Sequence, residues 1–153
     1  TAMHRVKNSL PLIIVTMLLT NTTLAQAGKA ENNKIISEAT NGKYSALEGS
    51  ISECDEQQDY TAEITDLNKD GQPEVLVNIS GSCLGGMAGS FTDLYIKNKT
   101  GKWVSQFGFP GMPEILKTKN KGYPDIEIGG PGFCFPVWRW DGQKYKVLKK
   151  CKE

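Results

Sequence analysis

DLNKDGQPEVLVNISGSCLGGMAGS, residues 66–90, sets an acidic turn, a strand and a glycine-rich loop with one cysteine end to end. Asp66, Asn68 and Asp70 alternate ahead of Gly71, and Pro73-Glu74 leads into Val75-Leu76-Val77-Asn78-Ile79. Val75, Val77 and Ile79 share one face while Leu76 and Asn78 share the other, which is the period of a strand. The strand opens into residues 80–90, too rich in glycine for a helix or an ordinary strand. Such a loop keeps one shape only if something outside its own backbone holds it, and Cys83 is the residue able to do so.

The pattern returns 51 residues later. Gly71-Gln72-Pro73-Glu74-Val75-Leu76-Val77 aligns with Gly122-Tyr123-Pro124-Asp125-Ile126-Glu127-Ile128, and Gly81-Ser82-Cys83 aligns with Gly132-Phe133-Cys134. Leu94-Tyr95-Ile96 before a glycine turn and Trp103 corresponds to Val137-Trp138-Arg139-Trp140 before Asp141-Gly142 and Tyr145. Each copy reads as strand, glycine-rich loop with cysteine, strand, hairpin, strand. A repeat of this length with several antiparallel strands is a blade-like unit. Two copies do not close a propeller. The sequence therefore predicts an all-β fold: two blade-like antiparallel sheets from an internal duplication (about residues 60–107 and 114–150), packed as a sandwich or partial propeller and braced by disulfides.

Outside the repeats the signals are sparser. Residues 28–33 are polar and read as a frayed lead-in, and residues 34–39 suit either a short helix or the entry to a strand. Asn41-Gly42 is a turn signal, followed by an extended run over residues 43–51. Residues 53–59 read as an acidic connecting loop, residues 60–65 as a strand, and residues 108–113 (GFPGMP) as a rigid, irregular connection.

Thr1-Ala2 before Met3 reads as a vector scar. His4, Arg5 and Lys7, an apolar run from Leu10 to Leu19, and Ala25-Gln26-Ala27 together predict a secretory leader over residues 1–27, with one domain over residues 28–153. Loss of Arg5 and Lys7 leaves 16 basic against 17 acidic residues, a balance that points to neither nucleic acid nor an anionic membrane. Export makes disulfides the default for Cys54, Cys83, Cys134 and Cys151, with three pairings open. The equivalent places of Cys83 and Cys134 in the two copies predict that those two pair, leaving Cys54 to pair with Cys151.

The single histidine, His4, lies in the leader. Histidine-dependent nucleophilic triads and histidine-ligated zinc are thereby closed, and disulfide formation closes thiolate chemistry. Asp125 and Glu127 point the same way from one strand and form the remaining carboxylate pair of glycosidase type, a pair that more often marks a solvated face. No catalytic residue is expected and no cofactor is required. Asp66, Asn68, Asp70 and Glu74 offer the oxygen side chains of a calcium loop or, as well, of a hydrogen-bonded Asx turn. Lys117, Lys119 and Lys121 occupy the aligned places in the second copy, so the turn itself does not need a metal to form.

DLNKDGQPEVLV resembles the acidic loop and strand of FG-GAP and VCBS-type repeats, which occur in extracellular β-propellers and often bind calcium. Over residues 66–150, and most of all in GYPDIEIGGPGFCFPVWRWDG, the chain resembles a group of small exported proteobacterial proteins. Some exported single-domain β proteins of this kind are immunity proteins against type VI secretion peptidoglycan amidases, in which a serine-bearing loop enters the amidase active site. That likeness implies a periplasmic, non-enzymatic inhibitor whose partner is a secreted peptidoglycan hydrolase. Ser80, Gly81, Ser82, Leu84, Met87 and Ser90 would then be the partner-binding residues. The two competing classes are a calcium-stabilised adhesion or scaffold module and a carboxylate hydrolase.

Overall fold

The computed structural model describes residues 13–132 and 135–149. It divides into two compact units, residues 1–31 and 32–153. The expected leader falls on residues 1–27, of which 1–12 lie outside the described residues and 13–27 are helical. Helix α1 (Ile13–Ala39) starts in the first unit and ends in the second. Residues 28–33, expected to fray, are helical, and the choice left open for residues 34–39 falls to helix. Ile36 and Ala39, three apart on one helical face, are both buried. The helix stops where Asn41 and Gly42 take positive φ, 52° and 80°, with the Gly42 N–H donating to the Ser37 carbonyl at 2.8 Å. That is a left-handed C-terminal cap, and it places Tyr44 beneath the helix in the same apolar cluster.

Beyond the helix, the described residues of the second unit are mostly β structure, as expected. Strands β1 (Glu48–Glu53), β2 (Glu56–Thr65), β3 (Glu74–Ser80), β4 (Ser90–Lys97) and β5 (Trp103–Pro110) form one five-stranded sheet in chain order. Strands β6 (Met112–Asn120), β7 (Tyr123–Gly129), β8 (Val137–Trp140) and β9 (Tyr145–Lys149) form a second, four-stranded sheet. All pairings are antiparallel. The repeat thus becomes two meanders, β2–β5 and β6–β9, with β1 added at the edge of the first.

The meanders stack front to back. Val75, Val77 and Ile79 pack with Ile36, Ala39 and Tyr44, on the helix side of the first sheet. Their aligned residues Ile126 and Ile128 pack with Leu76, Leu94, Ile96 and Phe107, against the back of the first sheet. The same face of each copy therefore points the same way, as successive propeller blades do. On the back of the second copy, Glu127 replaces Leu76 and Arg139 replaces Ile96 in register, so apolar contacts give way to charge. A repeat stack ends when its last unit carries a polar outer face. Asp125 and Arg139 supply that face, joined by a fork of two hydrogen bonds at 2.9 and 2.7 Å.

Two expected loops are strands. Residues 53–59 form the β1–β2 hairpin, whose two-residue turn has positive φ at Cys54 (53°) and Asp55 (62°). That geometry matches the right-handed twist of the flanking strands, and a Cys-Asp pair gives it away less readily than Asn-Gly. Gly108-Phe109-Pro110 ends β5, and Met112-Pro113 begins β6. Both prolines sit on strands that close an edge of their sheet, where a missing N–H removes no ladder bond. Gly111 alone carries the chain between sheets. Its φ is 133°, and a Cβ there would collide with the Gly129 carbonyl oxygen.

Candidate functional site

The glycine-rich loop closes on itself between the end of β3 and the start of β4. Ser80 pairs with Ser90 in register, and the Gly81 N–H donates to the Gly89 carbonyl at 2.9 Å. Between them the chain makes one α-helical turn, α2 (Ser82–Gly85), and a 3-10 turn over Gly86–Ala88. The expectation that glycine excludes helix here is corrected. Glycines flank and join the two short turns, and Gly85 is needed because a Cβ there would collide with the Ser90 backbone nitrogen. The Ser90 carbonyl in turn accepts the Gly111 N–H at 2.7 Å, which fastens the loop to the crossover between sheets.

This architecture divides the expected partner-binding residues. Ser80 and Ser82 are exposed, and Met87 is 93% exposed at the tip. Gly81 packs over the buried Gln58 side chain, so tightly that a Cβ would collide with its amide oxygen. Leu84, expected to fill a partner's pocket, is half-buried against the cluster between helix and sheet. Ser90 belongs to β4 and serves the backbone. No residue from 80 to 90 is charged.

The disulfide differs from the expected pairing. Cys83 joins Cys54, with a Cα–Cα separation of 6.0 Å, so neither Cys83–Cys134 nor Cys54–Cys151 forms. Cys134 and Cys151 lie outside the described residues. The reason is register: Tyr60 pairs with Ile79, so the chain before β2 and the chain after β3 emerge at the same end of adjacent strands. The β1–β2 turn therefore reaches the loop first. The two glycine-rich loops do come near each other, with Gly130 against the Ala88 side chain, but backbone proximity does not put two sulfurs together. A disulfide is consistent with an oxidising, extracellular environment.

Asp66, Asn68 and Asp70 gather in one turn, held by its own amides. Asp66 accepts the Asp70 N–H (3.1 Å) and the Gly71 N–H (2.9 Å), and Asp70 accepts the Gln72 N–H (2.8 Å) and the Asn68 amide (2.8 Å). Lys69 takes positive φ, 63°, to close it. Glu74 stands apart, accepting the Leu67 N–H at 2.7 Å and the Tyr123 hydroxyl at 2.9 Å. N–H donors thus hold the turn's oxygens to its own backbone, and Glu74 is turned away to Leu67 and Tyr123. Among the described residues no group of three or more His, Cys, Asp or Glu is arranged to hold a metal ion. As folded, the turn does not fit calcium. Melting curves in millimolar calcium and in chelator are expected to coincide, and Asp70→Ala to lower Tm equally in both. A rise in Tm with calcium that Asp70→Ala removes would show the turn rearranging around the ion, since a ligand of the folded state must stabilise it.

Glu74 and Asp125 are both tied into the fold. Glu74 is 2% exposed, and burial pushes its carboxyl above the usual range, while hydrogen bonds from Leu67 and Tyr123 oppose the shift. Asp125 is buried too, but hydrogen bonds from Arg139 outweigh burial and hold its carboxyl below the usual range. Its other oxygen partner is the Thr118 hydroxyl. A carboxylate held ionised in a guanidinium fork is a poor proton donor, so Asp125 does not supply the acid of a two-carboxylate mechanism.

What sequence reading missed is the hairpin that braces the loop: residues 43–51 read as extended but 53–59 as a connecting loop, because EGSISE in β1 carries Ile51 as its one apolar residue and so shows no alternating apolar face. The site as built is a neutral, glycine-hinged protrusion tethered at both strand ends and by a disulfide, with a methionine at its tip. No family model, curated protein or solved structure matches the chain.

Proposed function

We propose that this chain is a non-enzymatic periplasmic binding protein that plugs the active site of a cell-wall-degrading enzyme, as an immunity protein against a peptidoglycan amidase does. The observation that carries the reading is the solvent-facing Met87 on a loop whose backbone is fixed before any partner arrives. An apolar side chain gains nothing from water, and a flexible thioether fills irregular pockets well. Ser80 and Ser82 beside it can donate to and accept from a catalytic Cys or His. Fixing the loop in advance lowers the ordering cost that weakens flexible inhibitors.

The test is inhibition of a secreted Cys-His amidase encoded beside this chain, followed by release of dye from labelled peptidoglycan. Met87→Asp and Ser82→Arg, each first shown to melt as the parent does, are expected to weaken inhibition at least about tenfold, or about 1.4 kcal/mol. Inhibition unchanged within about twofold in both variants removes the loop from the interface.

A further inference from the structure

At the opposite end of β4, roughly 25 Å along the strand from the loop, the β4–β5 and β8–β9 turns face each other across a cleft. We propose that this cleft binds a small polyanion, a ligand carrying two or more carboxylate or phosphate groups. Its volume is about 400 Å³, within the range of small-ligand sites. Lys97, Lys99 and Lys144 line it with Asn98 and Gln143, over a floor that includes Trp140, and no acidic side chain is part of the lining.

No carboxylate stands within the cleft, and none forms an ion pair with its lysines among the described residues. Asp141, next in sequence to the lining residue Gly142, accepts the Gln143 and Lys144 N–H groups at 2.8 and 2.9 Å, and its other oxygen pairs with Lys146 at 2.6 Å. Those contacts also hold its carboxyl far below the usual range. Lys121 adds a fourth ammonium, donating to the Asp141 carbonyl at 2.7 Å and lying against Gly142. Among the described residues, Lys97, Lys99 and Lys144 form no ion pair. Asp70 and Glu74 line a separate groove that shares Lys97, Asn98 and Lys99, with their oxygens already taken by Gln72, Asn68, Leu67 and Tyr123.

The site is also partly set in advance. The Lys97 ammonium lies 4.8 Å from the centre of the Trp103 ring, a cation–π contact that limits its wandering. Asn98 Oδ1 takes the Thr100 N–H, the Thr100 hydroxyl and the Lys102 N–H at 3.0, 2.8 and 3.0 Å. What Asn98 has left to offer a ligand is its amide NH₂, a donor. The whole chain carries a formal charge of only +1, so an anion would be drawn here by the local cluster of ammoniums and not by net charge. Two short turns enclose too little length for a nucleic-acid strand, which needs an extended basic track. A compact anion satisfies several ammoniums at once.

The experiment titrates the full chain with citrate and with pyrophosphate at constant ionic strength, by calorimetry and by tryptophan fluorescence. Saturable one-to-one binding is expected, weakened about tenfold or more by Lys99→Glu with Lys144→Glu, which is about 1.4 kcal/mol or more. Lys34→Glu with Lys117→Glu, the same charge change away from the cleft, is expected to stay within about twofold. Tighter citrate assigns carboxylates and tighter pyrophosphate assigns phosphates. If the paired reversal lowers Tm, Lys99→Ala with Lys144→Ala replaces it. The absence of saturable binding, or an equal loss in both lysine pairs, overturns the proposal.

Discussion

Replacing Cys54 and Cys83 together by serine is expected to lower the free energy of unfolding by roughly 3–4 kcal/mol, the chain-entropy value for a loop of this size. The cysteines are 29 residues apart, and the closed loop spans the β1–β2 turn, β2, β3 and the start of the glycine-rich loop. Much of that span is already ordered by the β2–β3 ladder, so the local consequence should exceed what global stability shows. Without the bridge, Ser80 to Ser90 keeps its strand-end hydrogen bonds, those of its two short turns and the Leu84 contact, and its amides should exchange faster than those of β3. Chemical denaturation measures the first effect and hydrogen exchange the second. Mapping of the unreduced protein should recover a linked Cys54–Cys83 peptide. Full stability in the double variant would mean that the bridge contributes nothing to the fold. Loop exchange unchanged on its removal would mean that the glycine-rich turns hold themselves.

Glu74→Ala is expected to cost about 2–6 kcal/mol, because it strands the part-buried Leu67 N–H and the buried Tyr123 hydroxyl, and each such group left without a partner costs about 1–3 kcal/mol. Glu74 sits at the base of the acidic turn in the first copy, and Tyr123 opens β7 in the second. Its loss therefore loosens the turn and the contact between sheets together. Glu74→Gln retains one acceptor oxygen and should cost less than half as much. The pH dependence has a definite sign. Burial raises the folded pKa of Glu74 above its ordinary 4.5, so the folded state holds this proton more tightly than the unfolded chain does. The stabilisation is fully present below about pH 4.5 and fades as pH rises through the folded value. The stability gap between the parent and Glu74→Gln should accordingly widen on acidification from neutral pH. A gap that narrows would mean that the two hydrogen bonds, not burial, control the carboxyl.

The sequence by itself determined the unit of construction. Alternation of Val75, Val77 and Ile79 marked a strand buried on a full face, and its return at Ile126 and Ile128 announced a second copy. Turn residues at Asn98 to Gly101 and at Asp141-Gly142 marked the hairpins. These are local signals, since a strand's face and a turn's φ depend on neighbours in the chain. The loop's importance was legible too, because so many glycines in one run demand an external brace.

Which brace it is, only the tertiary structure decided. Equivalent positions in a repeat suggested Cys83 with Cys134, but a disulfide needs two Cα atoms within about 7 Å, and that depends on which turns share an end of the sheet. β1 carried a single apolar residue, Ile51, too little to reveal its hairpin, and the pairing of Tyr60 with Ile79 brought Cys54 to the loop. The inward turn of Leu84, the stacking of both copies with the same face forward, and the meeting of Lys99 with Lys144 are likewise contacts between distant segments. Periodicity fixes which face a residue lies on; packing decides what that face meets.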